Sequence, residues 1–354
     1  MLHFTGHGDF RQRIVLATLT RTSIRINEIR PAGDEVGLCD FEASFLRLVE
    51  KVVDGSEIFV NETGTAMQYR PGMIVGGRNV VHDCGHVRGL GYFIEPLLAI
   101  ALFAKRPLTI TLRGLTNVER DIGVDVLRSV TMPLLKRFGL EDELHLQIVR
   151  RGAPPAGVGE VVLTIPVVRS LQPLHLTDPG RVKRVRGVAY GTKVSPQIIN
   201  RVVDAARGIL TNYIPDVWIY TDVHAAKEGS AGYALSFVAE SNNGCLISAE
   251  ATASPGLSPE DVGRAAASQL LEEILQGGVV DSTHQPLAML LMTFGQQDVS
   301  RLRTGSLSVP AISLLRNLRV FLGVKFQMWA QADDNSTILA CRGVGFSNAS
   351  KGSM

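Results

Sequence analysis

The stretch VVHDCGHVRGLGYFIEPLLAIALFAKRPLTITLRGLTNVERDIGVDVLRSVTMPLLKRFG, Val80 to Gly139, decides the fold. Glycines at Gly85, Gly89 and Gly91 punctuate a turn, after which an apolar run that ends near Ala104 predicts a helix. Leu108 to Leu112 alternates as a strand, and a second helical pattern closes at Gly139, where glycine supplies the left-handed conformation of a helix end. One unit therefore holds two helices and a strand between them.

Working outward, the same order recurs on both sides. Upstream lie IVLATL (Ile14 to Leu19), IRI (Ile24 to Ile26) and the helix LRLVEKVVDG ending at Gly55, with the strand EIFVNE after it. Downstream lie LAMLLMTFG (Leu287 to Gly295) and LLRNLRVFLG ending at Gly323, followed by KFQMWA. Gly139 comes 84 residues after Gly55, whereas Gly323 comes 184 residues after Gly139, a surplus of 100. That surplus is the size of an inserted domain. The chain is expected to be α+β: a large domain of three repeated units over 1–186 and 279–347, an insert domain over 187–278, and a frayed tail over 348–354.

Composition sets outer bounds. With 354 residues, 45% hydrophobic and 20% charged, the chain can bury a core large enough for two domains. A net charge of +2 does not by itself announce a nucleic-acid binder. Cys39, Cys84, Cys245 and Cys341 form no CxxC pair, which suits free thiols in a reducing compartment. No apolar run has membrane-spanning length, and MLHFTGHGDFRQR carries charges and glycines where a signal peptide needs an apolar core.

Several motifs carry charge or metal-ligand types. Arg11 follows the Gly6-His7-Gly8 turn just ahead of a helix, an arrangement suited to an anion or simply to a solvated turn. Arg30 ends a strand. His82, Cys84 and His86 invite a zinc reading, but they alternate along a strand end with no complementary cluster elsewhere; a structural turn with Asp83 accepting backbone N–H groups is the reading adopted. Arg150 and Arg151 enter a Pro- and Gly-rich connection that leaves through Gly157-Val158-Gly159, a phosphate cradle or a surface turn. Arg181, Lys183, Arg184 and Arg186 crowd one strand, which is expected either to face acidic partners or to form a solvated basic edge.

Within the insert, Ser195-Pro196 and Ser258-Pro259 start helices, and Asn242-Asn243-Gly244 joins two strands as a hairpin. His224, near Lys227 and Glu228, reads as a surface residue. In the last unit Arg316 and Arg319 stand three apart beside Asn317, available to RNA or ordinarily exposed.

The stretches FTGHGDFRQRIVLATL, HDCGHVRGLGYFIEPLL, LRGLTNVERDIGVDVLRSVTMPLLKRFG, RRGAPPAGVGEV, KRVRGVAYGTKVSPQIINRVVDAARGIL, LLEEILQGGVVDSTHQ and LLMTFGQQDVS resemble the RNA 3'-terminal phosphate cyclase family over nearly the whole chain. Within that family the likeness is to the eukaryotic nucleolar cyclase-like branch of small-subunit ribosome biogenesis. The resemblance implies three similar units, each of two helices on a four-stranded sheet, with a small domain inserted before the third. It also places Arg11, Arg30, Arg113, Arg120, Arg150 and Arg151 on turns and strand ends around the family's cleft, where structured pre-rRNA could lie.

True cyclases adenylylate a histidine at the start of the third unit's second helix. Here that place falls at Val309 and Pro310, and no histidine follows His284. The family's glutamine near Arg11 is replaced by Gly8, its basic loop has become Ala32-Gly33-Asp34-Glu35-Val36, its downstream Arg and Gln-His pair align with Cys39 and Phe41-Glu42, and Val158 interrupts its triple glycine. Carboxylates in place of guanidinium groups would repel ATP.

The expectation is thus a non-enzymatic scaffold of the small-subunit processome that supports early pre-rRNA cleavage, with no catalytic residue, cofactor or metal. Its expected partners are pre-rRNA, small nucleolar ribonucleoprotein and a large nucleolar GTPase, in the nucleolus and away from membranes; no strong basic import run is present. Arg181, Lys183, Arg184 and Arg186 are the candidate docking edge for that GTPase. The alternatives are residual cyclisation, with His284 as a relocated nucleophile, and a pre-rRNA endonuclease using Asp298, Arg316 and Arg319.

Overall fold

The computed structural model describes residues 1–140, 144–224, 228–331 and 336–348. The first unit runs β1 (Leu2–Thr5), α1 (Phe10–Thr20), β2 (Ile24–Asn27), α2 (Asp40–Val52), β3 (Val53–Asp54), β4 (Glu57–Val60) and β5 (Met67–Arg70), with β6 (Met73–Ile74) pairing back onto β3. The second runs β7 (Gly77–Asp83), α3 (Leu90–Ile100), β8 (Leu108–Gly114), α4 (Val124–Val126), a π-helical turn Leu127–Thr131, α5 (Met132–Lys136), β9 (His145–Arg150) and β10 (Gly159–Ile165). The third opens with β11 (His175–Leu176) and resumes after the insert with α8 (Gln285–Thr293), β16 (Val299–Thr304), α9 (Val309–Leu322), β17 (Gln327–Ala330) and β18 (Thr337–Arg342).

Their sheets share one topology: β1-β2-β5-β4, β7-β8-β10-β9 and β11-β16-β18-β17. In each, the first two strands are parallel and joined through a helix, and the last two form an antiparallel hairpin. Gly55, Gly139 and Gly323 all take positive φ, but only Gly323 caps its helix directly: α2 ends at Val52, and the expected closing glycine Gly55 lies in the turn after β3. Helices α1, α3, α8 and α9 meet at the centre, where one apolar cluster joins all three units.

The insert comprises β12 (Val182–Thr192), α6 (Pro196–Leu210), β13 (Val217–His224), β14 (Gly232–Ser241), β15 (Leu246–Thr252) and α7 (Pro259–Leu275), and it has a core of its own. Its sheet order is β13-β12-β14-β15, with both helices on one face. Ser195 caps α6, and Ser258 forms a reciprocal capping box with Asp261 on α7.

Two expectations need correction. Because β12 pairs with strands of the insert from Val182 onward, the boundary drawn between 186 and 187 falls inside a strand. Because β12 lies between β13 and β14, the basic run is central and presents its side chains on the sheet's faces, not along an edge. As for the tail, Asn348 donates its backbone N–H to Arg169 O and its side chain to Ala104 O, so it is anchored; the rest of that expected frayed segment, 349–354, lies outside the described residues, as does Lys227.

Candidate functional site

A cavity of about 460 Å³ opens where the three units meet. Its walls combine helix starts, namely Arg11 and Gln12 of α1, Gly91 and Tyr92 of α3, Pro286 of α8 and Ser308 and Pro310 at α9, with Glu95 and apolar residues further along the helices and the turn Arg120–Ile122. Helix N-termini present unpaired N–H groups and favour anions.

Arginine and tyrosine dominate the chemistry. The Arg11 Nη1 donates to Tyr92 O at 2.8 Å and its Nη2 pairs with Glu95 Oε2 at 2.7 Å. Arg88 grips Asp121 through both Nε and Nη2, and Asp121 Oδ2 also accepts the Gly89 N–H at 2.8 Å. The two guanidinium groups lie 4.8 and 4.2 Å from the Tyr92 ring centroid, a double cation–π contact. Burial pushes the Tyr92 hydroxyl up to about 12, so it stays protonated as a hydrogen-bond donor at neutral pH. Arg120 is exposed at the rim, and among the described residues its side chain meets no carboxylate.

At the start of α9 the backbone is held by amides. Gln12 Nε2 donates to Pro310 O at 2.9 Å while Gln285 Oε1 accepts the Ser308 N–H at 2.9 Å. Val309, beside Pro310 at the start of α9, is an exposed valine. Its nearest histidine in sequence, His284, is only 2% exposed. The His284 Nδ1 bonds Asp281 Oδ1 at 2.7 Å and its Nε2 bonds Thr131 Oγ1 at 2.8 Å, so both ring nitrogens are committed. Burial alone would lower this imidazole's pKa, but the Asp281 carboxylate outweighs it and the net shift is upward. Asp281 in turn accepts the Ser248 N–H and hydroxyl from the insert.

The arginines singled out from sequence do not converge. Arg11 and Arg120 line the cavity. Arg30 is bound bidentately by Glu42 at 2.8 and 2.7 Å, and the Glu42 hydrogen bond holds its pKa above the usual value against the cost of burial. Arg151 is buried, clamped by Asp125 at 2.6 and 2.8 Å and by Asp222 at 2.7 Å, so no face of it is left for a phosphate. Arg113 pairs with Glu160 at the surface, Arg150 lies 3.5 Å from Glu228 beside a second groove, and Arg316 and Arg319 point to solvent from α9. On β12, Lys183 and Arg184 share Glu240 and Arg186 holds Asp216. Asp298 caps its own strand by accepting the Val299 N–H and shares no ion pair with Arg316 or Arg319 among the described residues.

Around the histidine and cysteine trio, His82 Nε2 bonds Ser44 Oγ at 3.0 Å, Cys84 is buried in the core, and His86 lies against Gly157. Burial, helped by Lys51, lowers the His82 pKa to about 4. Asp83 accepts the Gly85 N–H at 2.9 Å, the turn role expected of it. Sequence reading passed over Arg88, Asp121 and Gln285. The signal for the first two was the pairing of the glycine turn before α3 with the turn after β8, which brings residues 33 apart into contact.

Three βαβαββ units around a shared helix-lined cavity, with an α+β insert in the third, define the class of fold. The family model described as RNA 3'-terminal phosphate cyclase matches residues 2–328, and the chain belongs to this family. It is 49% identical to the RNA 3'-terminal phosphate cyclase-like protein of Homo sapiens, an alignment that spans 99% of this chain and 97% of that one. It is 44% identical to the rRNA processing protein rcl1 of Schizosaccharomyces pombe over 98% and 97% of the two chains, and 43% identical to a probable cyclase-like protein of Dictyostelium discoideum over 99% of each.

Proposed function

We propose that this chain acts in rRNA processing as a scaffold, a cyclase fold put to binding instead of catalysis. A relative that shares almost its whole length is named for rRNA processing, which supports the coarse role. One observation carries the rest: Val309 and Pro310 stand where adenylyl transfer needs an imidazole, and His284 has both nitrogens tied inside the core. At the cavity Arg120 is free of a carboxylate among the described residues and stands beside the N-termini of several helices, a surface suited to holding RNA phosphate without cutting it.

In this reading the protein works in the nucleolus, within the small-subunit processome, beside pre-rRNA, small nucleolar ribonucleoprotein and a large nucleolar GTPase. Arg316 and Arg319 on the exposed side of α9, and Lys183, Arg184 and Arg186 on the insert, are then contact surfaces for RNA or acidic partner segments. Crosslinking of tagged protein in cells, with sequencing of the attached RNA, tests the role. Reads concentrated in small-subunit pre-rRNA and diminished by Arg120→Glu are expected; reads spread evenly over unrelated RNA would refute it.

A further inference from the structure

The insert's sheet has helices on one face only. Leu235, Phe237, Val185 and Ile247 point toward α6 and α7, so the alternate residues of each strand face the other way. The large domain covers part of that second face, where Gly123 meets Glu250, Arg151 meets Tyr190, and Asp281 meets Ser248. The half made by β13 and the start of β12 stays open.

On the open half, Trp218 and Tyr220 are 66% and 60% exposed. They alternate with buried Ile219, so both rings project from the same face, ~6.6 Å apart along the strand. Among the described residues neither side chain meets another ring, a cation or a hydrogen-bond partner. Arg186 is the β12 residue in register with Trp218, and Val188 is the one in register with Tyr220. From Tyr220 a groove of about 660 Å³ runs to the edge strand β9, floored by Val188 and Ile148 and rimmed by Arg128 and Arg150.

Two exposed rings of this size on one open sheet face need a reason. A core role is excluded by their orientation, and an aliphatic partner face would want apolar neighbours where Arg128, Arg150 and Arg186 stand. Two of these guanidinium groups have exposed carboxylate partners, Asp216 for Arg186 and Glu228 for Arg150, in pairs that contribute little to stability, while the half-exposed Arg128 stands off at 3.6 Å from the buried Asp125. They can therefore exchange a carboxylate for a phosphate at small cost. Rings at strand spacing on an open sheet, flanked by exchangeable arginines, fit unpaired bases that stack while the backbone tracks the cations.

We infer that the open face of the insert binds single-stranded RNA, with adjacent bases on Trp218 and Tyr220 and phosphates along Arg186, Arg150 and Arg128. This site is separate from the central cavity. It takes only the choice of nucleic acid from the role proposed above.

The chain has two tryptophans, so Trp329→Phe leaves Trp218 as the sole reporter. Titrating that full-length variant with a twelve-residue oligouridylate should quench its fluorescence. Trp218→Ala with Tyr220→Ala, read by anisotropy of the labelled oligonucleotide, should weaken binding about tenfold to a hundredfold, while Trp218→Phe with Tyr220→Phe should retain most of it. Arg120→Glu, which alters the central cavity, should leave the quenching unchanged. The site is refuted if wild-type quenching is absent, if the alanine pair binds equally well, or if Arg120→Glu abolishes binding. A glutamate dodecapeptide that quenches Trp218 as strongly as the oligonucleotide would refute it too, by assigning the face to acidic protein.

Discussion

Whether a guanidinium can meet a phosphate depends on what already holds it. Arg113 stands near the end of β8, whereas Arg30, expected at a strand end, lies in the loop three residues past β2; Arg30 is sequestered by Glu42 whereas Arg113 meets Glu160 in water. Glu42 also accepts the Cys39 N–H at the start of α2, so Glu42→Ala strands a largely buried cation and uncaps a helix. It should cost about 3 kcal/mol in urea unfolding, against less than about 1 kcal/mol for Glu160→Ala. Sequence alone could not sort these arginines, because the partners of Arg151 lie 26 and 71 residues away in the chain.

Glu250 is the residue whose charge the fold tolerates least. Its Oε1 accepts the Gly123 N–H at 2.6 Å, but its Oε2 is sealed from solvent without a partner. Burial, opposed by that hydrogen bond and reinforced by Asp125, raises its pKa from 4.5 to about 7. The folded state thus binds a proton that the unfolded chain has released, so this group's contribution to stability falls as pH rises from about 4.5 to about 7 and is flat above. Glu250→Gln should therefore raise stability at pH 8 by roughly 1–3 kcal/mol and leave it nearly unchanged at pH 4. Equal effects at both pH values would show that charge is not the cause.

Among elements, helix α3 is fitted closely to its surroundings. A Cβ on Gly91 would lie 2.0 Å from Ile122 O, in the turn that carries Arg120 and Asp121 to the cavity. Gly91→Ala should push α3 and that turn apart, at a cost of about 1–3 kcal/mol in thermal unfolding. Ser258→Ala, which removes only one half of the α7 capping box, should cost about 1 kcal/mol. Such local features were legible in advance: Gly323 at the close of α9, Ser195 and Ser258 before proline, and the Asn242-Asn243-Gly244 hairpin all depend on neighbours in sequence. The placement of β12 in mid-sheet was not, because an alternating basic strand has the same pattern at an edge as at the centre, and only its partners β13 and β14 decide. Nor was the π-helical turn Leu127–Thr131, whose residues repeat like those of any buried helix.

For the whole molecule, the spacing of three glycines disclosed both the repeat and the insert, since each unit runs through the same βαβαββ order. What spacing could not reveal is how the insert is fastened. Asp281 links Ser248 of the insert to His284, and His284 reaches Thr131 of the second unit, so one buried chain of hydrogen bonds spans three parts of the molecule. Asp281→Ala should leave His284 and Ser248 without their shared acceptor and destabilise the fold by about 3 kcal/mol, visible as earlier proteolysis near the insert junctions. The candidate site was half legible: Arg11 and Arg120 stand at the cavity, while the Arg88–Asp121 pair, with Arg88 over Tyr92, emerged only once the turn before α3 and the turn after β8 were brought together.

The scaffold role is tested most directly by incubating the purified full-length chain with ATP labelled at its α-phosphate, Mg²⁺ or Mn²⁺, and RNA ending in a 3'-phosphate, followed by denaturing electrophoresis. With valine and proline at the start of α9 and His284 sealed in the core, no labelled protein band and no cyclic phosphate should form. A covalent AMP adduct, abolished by His284→Ala in a variant that still folds, would contradict the account.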